Sequence, residues 1–282
     1  MERPASNIYV STEYPGVTLG FIVVPEGAIA IDAPTLPHNA REWRQKVVET
    51  AGGPIFYTVL TDGHPDRVLS ADLLGAPLVA SRAAYERLAD TSSGFWRSVV
   101  DRWSRRYPDA EDELDGREGA LPRVLVHTEL TLHKGGGAVS VESIEGPAPG
   151  SLWIYREEEG VVFLGDTLVV GTHPHVEAAT NTKGWLNTLT RLRRPRFANV
   201  KLVPGRGPIS DQKATRPLSD YIALMRRRAR SLIRGTIDQR EAIDDLLEAL
   251  PSGGEEPDLI ERRIKAGLEQ VVEELEPEEE EE

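Results

Sequence analysis

The chain of 282 residues contains no cysteine, which excludes disulfide bonds, thiolate metal sites and a cysteine nucleophile. It has no apolar run of about 18 residues, the length that a transmembrane helix needs. Its N-terminus has no apolar segment behind a basic one, so no signal peptide is expected. These absences predict a cytoplasmic protein with no membrane partner.

Asparagine and glutamine are scarce, and 46 acidic residues outnumber 33 basic ones, which gives a net charge of −13. This negative balance disfavours general binding of nucleic acid. Abundant charge with few side-chain amides is a thermophile-like composition. Part of the negative charge lies in the glutamate-rich residues 276–282, for which we predict a disordered, solvating tail.

Apolar segments of strand character alternate with amphipathic helical segments as far as about residue 210. Helical spacing of apolar residues is also present at 68–74. The triple glycine at 135–137 predicts a hairpin turn. Predicted strands cover 17–24, 28–32, 55–60, 77–80, 124–126, 129–132, 138–141, 151–155, 161–164 and 201–203, and predicted helices cover 38–51, 82–89 and 183–192.

Beyond residue 215 the pattern is helical only. We predict helices at 218–233, from a capping box at Asp238 onward, and at 258–275. The expected domains are therefore 1–214, a helical extension at 215–275, and the tail at 276–282. The arginines at 226, 227, 228 and 230 either bind phosphate groups or form the basic outer face of an amphipathic helix.

The stretch Leu60-Thr61-Asp62-Gly63-His64-Pro65-Asp66-Arg67 joins a predicted buried strand to a helical segment, where α/β folds place functional residues. It resembles the metal-binding signature of the metallo-β-lactamase superfamily, in which a strand ends in Thr-His-x-His-x-Asp-His. His64 and Asp66 match this signature. Asp62 and Arg67 stand where the family has its first and last histidine.

Further segments carry the same resemblance in the same order, over about residues 8–210. Asp32 ends a strand pair similar to the family's opening hairpin. The segment 146–151 resembles Gly-His-Thr-Pro-Gly-Ser with Pro147 in place of histidine. Asp166 follows a strand similar to the one that bears the family's bridging aspartate, and Arg206 replaces histidine in Pro-Gly-His-Gly-Pro. The resemblance implies an α/β fold, a four-layer αβ/βα sandwich with a helical C-terminal extension.

The resemblance also implies seven metal-ligand positions. Three of them keep a family ligand, and Asp62 is a changed residue that can still coordinate. Proline and guanidinium offer no lone pair to a metal, and catalytic zinc needs about three protein ligands. We therefore predict that no metal is bound and that buried ion pairs of Arg67 and Arg206 with the aspartates replace the metals. The seven positions are occupied by Asp62, His64, Asp66, Arg67, Pro147, Asp166 and Arg206.

The expected function is that of a degenerate family member that binds an unidentified small molecule or another protein. One alternative is a hydrolase of an ester, thioester or phosphoester with one Zn, Fe or Mn ion, in which Asp66 is the candidate catalytic residue. Its ligands would be Asp62, His64, Asp66 and Asp166, with His173 and His175 as further candidates. Another alternative is a homo-oligomer formed through the C-terminal helices.

Three aromatic residues, Phe95, Trp96 and Trp103, recur at helical spacing in a segment that this superfamily often inserts over the active-site mouth. They either line a ligand pocket or belong to the core face of a helix.

Overall fold

The computed structural model describes residues 1–134 and 137–280, and for residues 277–280 the backbone only. The predicted turn at 135–137 lies largely outside the described residues. The chain divides into two compact units. One contains Met1–Ser143 and Leu152–Phe163, and the other contains Ile144–Ser151 and Leu164–Glu282.

A seven-stranded sheet of the first unit follows chain order from β1 to β7. The strands β1 to β4 pair antiparallel, whereas β4 to β7 pair parallel. Parallel neighbours bring their carboxyl ends to the same sheet edge, so the residues after β4 and β5 come together. The strands are β1 (Glu2–Ala5), β2 (Ile8–Ser11), β3 (Leu19–Val24), β4 (Gly27–Ile31), β5 (Ile55–Val59), β6 (Leu78–Ser81) and β7 (Val124–Val126).

Helices of this unit connect the parallel strands. Trp43 and Val47 of the first helix are wholly buried in the hydrophobic core, and Gly52 ends that helix in the left-handed conformation that glycine adopts without strain. The helices are α1 (Pro37–Ala51), α2 (Pro65–Val68), α3 (Arg82–Ala89), α4 (Ser93–Arg106) and α5 (Glu111–Leu114).

Four more strands complete the first unit. They are β8 (Glu129–His133), β9 (Ala138–Ile144), β10 (Ser151–Arg156) and β11 (Val161–Phe163). Strand β8 pairs antiparallel with β9, and β10 pairs antiparallel with β11. The alternating burial along β8 and β9 fits the period of two that a half-buried strand requires.

The second unit consists mainly of helices. They are α6 (Thr182–Leu192), α7 (Thr215–Ile233), α8 (Gln239–Ala249) and α9 (Pro257–Glu280), with one short strand, β12 (Lys201–Val203), between α6 and α7. Apolar residues at helical spacing in α7 are buried, which explains why the helix forms here. Asp238 caps α8 by accepting a hydrogen bond from the Glu241 N–H at 2.9 Å, as the capping box predicts.

Three observations differ from the sequence-based expectations. The helical spacing at 68–74 does not correspond to one helix. The chain forms instead the short α2, which ends at Val68, and a 3-10 turn at Ala71–Leu74. Helix α9 continues as far as Glu280 instead of ending at 275, because glutamate is a good helix former. The compact units do not follow the predicted boundary at 214. Among the described residues, no helix is both long and apolar enough to cross a membrane.

Candidate functional site

The loop after β5 holds the residues that carry the resemblance in the first unit. The Asp62 carboxylate accepts the His64 backbone N–H at 2.8 Å. The Nδ1 atom of His64 accepts the Asp66 backbone N–H at 3.2 Å, so His64 is the N-cap of α2. Because Nδ1 uses its lone pair in this cap, the imidazole proton of neutral His64 is on Nε2. Asp62 and His64, two positions of the family's signature, therefore stabilise the conformation of their own loop.

Arg67 lies in the interior of the first unit with no exposed surface. Its Nε donates to Oδ2 of Asp32 at 3.1 Å, and its Nη1 lies 3.4 Å from Oδ1 of Asp62. Thr61 binds Asp32 as well, through its backbone N–H at 2.8 Å and its hydroxyl at 2.7 Å. We call these four residues, Asp32, Thr61, Asp62 and Arg67, the Arg67 cluster. The predicted ion pair between Arg67 and Asp62 is present.

Asp32 is the residue on which the Arg67 cluster converges. It is buried and has a φ of 58°, a left-handed conformation that is uncommon for residues other than glycine. Burial raises the pKa of Asp32 to about 6, although the charge of Arg67 opposes the rise. The negative charge of Asp62 adds to it. Two carboxylates thus share one guanidinium in a dry environment.

Asp66 is bound from a different element. The indole Nε1–H of Trp103, on α4, donates to Oδ1 of Asp66 at 3.1 Å. Trp96 and Trp103 are both buried in the core, as the core interpretation expects, whereas Phe95 is 41% exposed. The aromatic helix therefore supplies a hydrogen-bond donor to a ligand position, which helical spacing alone did not indicate.

In the second unit, Asp166 is buried and its Oδ2 accepts a hydrogen bond from Nε of Arg206 at 3.2 Å. The backbone of Arg206 forms a parallel bridge with Val169, and its carbonyl accepts the Val170 N–H at 3.0 Å. The predicted ion pair of Arg206 is therefore present and is fixed by backbone pairing. Pro147 is buried in its predicted loop and offers no metal ligand.

Glu255, from the α8–α9 connection, belongs to the surroundings of Arg206. It accepts hydrogen bonds from the Thr172 hydroxyl at 2.6 Å and from Nη1 of Arg263 at 3.0 Å. Burial opposes its ionisation, but Arg263, Thr172 and the charge of Arg206 lower its pKa to about 2. We call Asp166, Arg206 and Glu255 the Arg206 cluster.

The α8–α9 connection packs tightly against the loop that bears Thr172. A Cβ on Gly253, whose φ is 64°, would lie 2.8 Å from the Gly171 carbonyl oxygen, so only glycine fits there. Glu255 is 83 residues from Thr172 along the chain. No motif or periodicity in the sequence signals this contact.

The two further candidate histidines have different surroundings. His173 is buried, and its Nε2 lies 3.0 Å from the Leu250 carbonyl and its Nδ1 3.4 Å from the Tyr221 hydroxyl. Burial lowers the pKa of His173. His175 Nδ1 lies 2.7 Å from a carboxylate oxygen of Glu177. Of the two histidines, His173 therefore joins its own loop to α7 and to the end of α8, through both of its ring nitrogens.

These donors do not fit the metal centre that the family resemblance implies. Asp62 shares its charge with Arg67, Asp166 shares its charge with Arg206, and Asp66 is bound by an indole N–H. In each unit a guanidinium stands at a ligand position, where it repels a dication and cannot coordinate one. Each of these three carboxylates is therefore already bound by a donor group of the protein.

Comparison with known proteins identifies solved structures that are similar to this chain. No curated protein matches it. The metallo-beta-lactamase family protein TTHA1429 from Thermus thermophilus has a similar structure, with a TM-score of 0.70 at 20% identity over 98% of this chain and 95% of its own. A beta-lactamase domain protein from Burkholderia ambifaria gives 0.65 at 15% identity, over 96% of this chain and 85% of its own.

The stereoselective inverting sec-alkylsulfatase Pisa1 from Pseudomonas sp. gives a TM-score of 0.69 at 14% identity, over 95% of this chain and 49% of its own. At such identities these structures establish the fold alone, and they confirm the predicted αβ/βα sandwich with C-terminal helices. Residues 16–205, more than half of the chain, match the family model of the metallo-beta-lactamase superfamily, and the chain therefore belongs to that superfamily.

Proposed function

We propose that this protein is a member of the superfamily in which arginines replace the metals, and that it binds a small molecule or a protein without dinuclear metal hydrolysis. The observation that carries the proposal is the burial of Arg67, which has no exposed surface and contacts both Asp32 and Asp62. A dication at this position would have to displace a guanidinium that has no adjacent solvent.

The energetics of burial support the proposal. Removing one member of a buried ion pair leaves an uncompensated charge, which typically costs about 3–5 kcal/mol. A metal that captured Asp62 would deprive the buried Arg67 of one carboxylate partner, and the raised pKa of Asp32 indicates how weakly this environment favours the charged form of Asp32. Zinc therefore competes poorly with Arg67 for the Asp62 carboxylate.

The proposal is tested by measuring the metal content of the wild-type protein and by a variant that is designed to gain zinc binding. We expect elemental analysis of the wild-type protein to find no stoichiometric zinc, iron or manganese, and calorimetric titration with zinc to show no binding at micromolar concentrations. The double variant Asp62→His/Arg67→His adds two imidazoles beside His64 and Asp66 within one loop. It should bind zinc in the micromolar range, because neutral imidazole is a good zinc ligand.

One tightly held metal ion per wild-type chain would contradict the proposal. It would support instead the hydrolase with one metal ion, in which that ion lowers the pKa of a bound water for attack on an ester, thioester or phosphoester. Failure of a folded Asp62→His/Arg67→His variant to bind zinc would mean that the loop geometry, and not only the side chains, has departed from a metal site.

A further inference from the structure

A strongly basic segment lies in this acidic chain. Residues 183–216 contain nine basic residues and one acidic residue, so the rest of the chain is even more negative than the total of −13. Four exposed basic side chains of this segment follow α6 or begin α7, and we call them the basic surface: Arg194, Arg196, Lys213 and Arg216. A local excess of this kind creates a positive potential on a negative protein.

Hydrogen bonds between chain segments bring the basic surface together. The Gln212 side-chain amide donates to the carbonyls of Leu192, at 2.7 Å, and Arg194, at 2.8 Å. Arg193 donates to the hydroxyl of Thr215 at 3.3 Å. Lys213 and Arg216, the next residues after Gln212 and Thr215, therefore lie beside the end of α6 that bears Arg194.

Helix dipoles do not account for all four of these charges. Arg216 stands in the first turn of α7, where the helix dipole favours an acidic side chain and disfavours a basic one. In the part of the chain that the structure describes, none of the four side chains of the basic surface forms an ion pair. The Arg196 guanidinium lies over the Phe197 ring, 4.6 Å from its centroid, which leaves its charge without a counter-ion. Four like charges that have no carboxylate partner among the described residues favour an anionic ligand from outside the chain.

A short acidic segment fits this surface better than a long polyanion. Nucleic acid would extend past the four basic residues and over the acidic remainder of the protein. Its phosphates would be repelled by every carboxylate that lies closer than the Debye length, which is about 8–10 Å at physiological salt. The chain itself contains a short acidic segment, since residues 276–282 include six glutamates in seven positions. We call these residues the acidic end.

The helix that leads to the acidic end runs away from the basic surface. Glu274 of α9 binds Thr182, at the start of α6, whereas the basic surface lies at the opposite end of α6. Glu274 also binds Arg226, which lies ten positions after Arg216 in α7. The acidic end therefore begins at a distance from the basic surface of its own chain.

The direction of α9 increases this separation. Arg263, near the start of α9, donates to the carbonyl of His173, whose ring lies beside Tyr221 of α7. Since Arg263 lies near Tyr221 and Glu274 binds Arg226, α9 advances in the same direction as α7. Its continuation to Glu280 is therefore directed away from the N-terminal turn of α7, where the basic surface lies.

We propose that the basic surface binds the acidic end of a second copy of this chain. The contact is heterologous, because one surface of each copy meets a different surface of the next, so copies add head to tail. Exposed ion pairs are individually weak and are screened by salt. The association is therefore strongest at low ionic strength and is lost at high ionic strength.

Sedimentation velocity tests the proposal on the full chain. At about 0.02 M salt, where the Debye length is roughly 20 Å, the weight-average mass should rise with protein concentration, and at about 0.5 M it should return to that of the monomer. The variant Arg194→Glu/Arg196→Glu and a chain lacking the acidic end should each stay monomeric at low salt. Mixing these two variants should restore a dimer, since one keeps the acidic end and the other keeps the basic surface.

A matched control separates the effect of the basic surface on association from the effect of net charge. Arg102→Glu/Arg105→Glu changes two exposed arginines of α4 by the same total charge and should associate like the wild type. A wild-type chain that remains monomeric at low salt overturns the proposal, as does a mixture of the two variants that forms no dimer. If removal of the acidic end changes nothing but a single-stranded oligonucleotide binds wild type and not Arg194→Glu/Arg196→Glu, the surface is a nucleic-acid site instead.

Discussion

The Arg67 cluster and the Arg206 cluster both pair a buried arginine with aspartate, but their surroundings differ. Arg67 has no exposed surface, and its side chain lies between two carboxylates. Arg206 is 9% exposed, bonds the Asp166 carboxylate, and is held in addition by backbone pairing with Val169. The backbone of Arg67 is fixed as well, since its N–H donates to the His64 carbonyl at 3.0 Å. The two clusters therefore differ in burial, and we expect the fully buried guanidinium to be the more sensitive to loss of a partner, because no solvent can replace that partner.

The largest expected effect concerns Arg67. The variant Arg67→Ala leaves Asp32 and Asp62 buried beside each other without this cation, and loss of one member of a buried pair typically costs about 3–5 kcal/mol. We expect urea denaturation to show a loss of this size in the free energy of unfolding. Arg67→Lys is the matched control, because it keeps the positive charge but replaces the planar guanidinium, which contacts both aspartates, with a single ammonium group.

Near-wild-type stability of Arg67→Ala would show that Asp32 takes up a proton at little cost and that the cluster is not an ion-pair unit. Because burial raises the pKa of Asp32 to about 6, that outcome should then depend on pH. Measurement of both variants at pH 5 and pH 8 distinguishes proton uptake from a rearranged loop.

A smaller loss is expected for Arg206→Ala. Its hydrogen bond to Asp166 is charged, and such bonds contribute about 1.5–3 kcal/mol. The backbone bridge to Val169 does not depend on the side chain, so the fold around residue 206 should persist. Thermal unfolding followed by circular dichroism measures the change, and a loss equal to that of Arg67→Ala would remove the distinction between the clusters.

Acid should reveal the contribution of Glu255. Its pKa in the folded chain is lowered to about 2, so its stabilisation is complete above the unfolded pKa of about 4.5 and is lost as the pH falls towards 2. We expect Glu255→Gln to be less stable than wild type at pH 7. The difference should shrink steadily between pH 4.5 and pH 2 in urea titrations.

Glu261→Gln, on the exposed side of α9, is the control for this pH series, since its partner Arg240 is 61% exposed. A constant difference between Glu255→Gln and wild type at every pH would mean that Glu255 acts through packing and not through its charge.

The smallest effect is expected from the acidic end. Leu275 is fully buried and is the last core residue among those α9 side chains that the structure describes, whereas Glu276 is exposed. Deletion of residues 276–282 should therefore change the free energy of unfolding by less than about 0.5 kcal/mol, as for other surface changes. A larger loss in guanidinium denaturation would show that the acidic end contributes to the fold of its own chain.

Much of the fold could be predicted from residue order. Alternating apolar segments, the strand before Asp62 and the spacing of His64 and Asp66 depend on local periodicity, which residue order records directly. The sequence also shows that Pro147, Arg67 and Arg206 offer no metal ligand, because these side chains cannot coordinate a metal in any conformation. The ion pairs of both arginines could also be predicted, since buried carboxylates require compensation.

Only the tertiary structure decided which groups provide that compensation. Arg67 reaches Asp32 as well as Asp62 because the carboxyl ends of two parallel strands, β4 and β5, meet at one sheet edge. Trp103 reaches Asp66 across 37 residues, and Glu255 reaches Thr172 across 83. Such contacts follow from how separate elements pack, and residue order records no distance between segments that lie far apart in the chain.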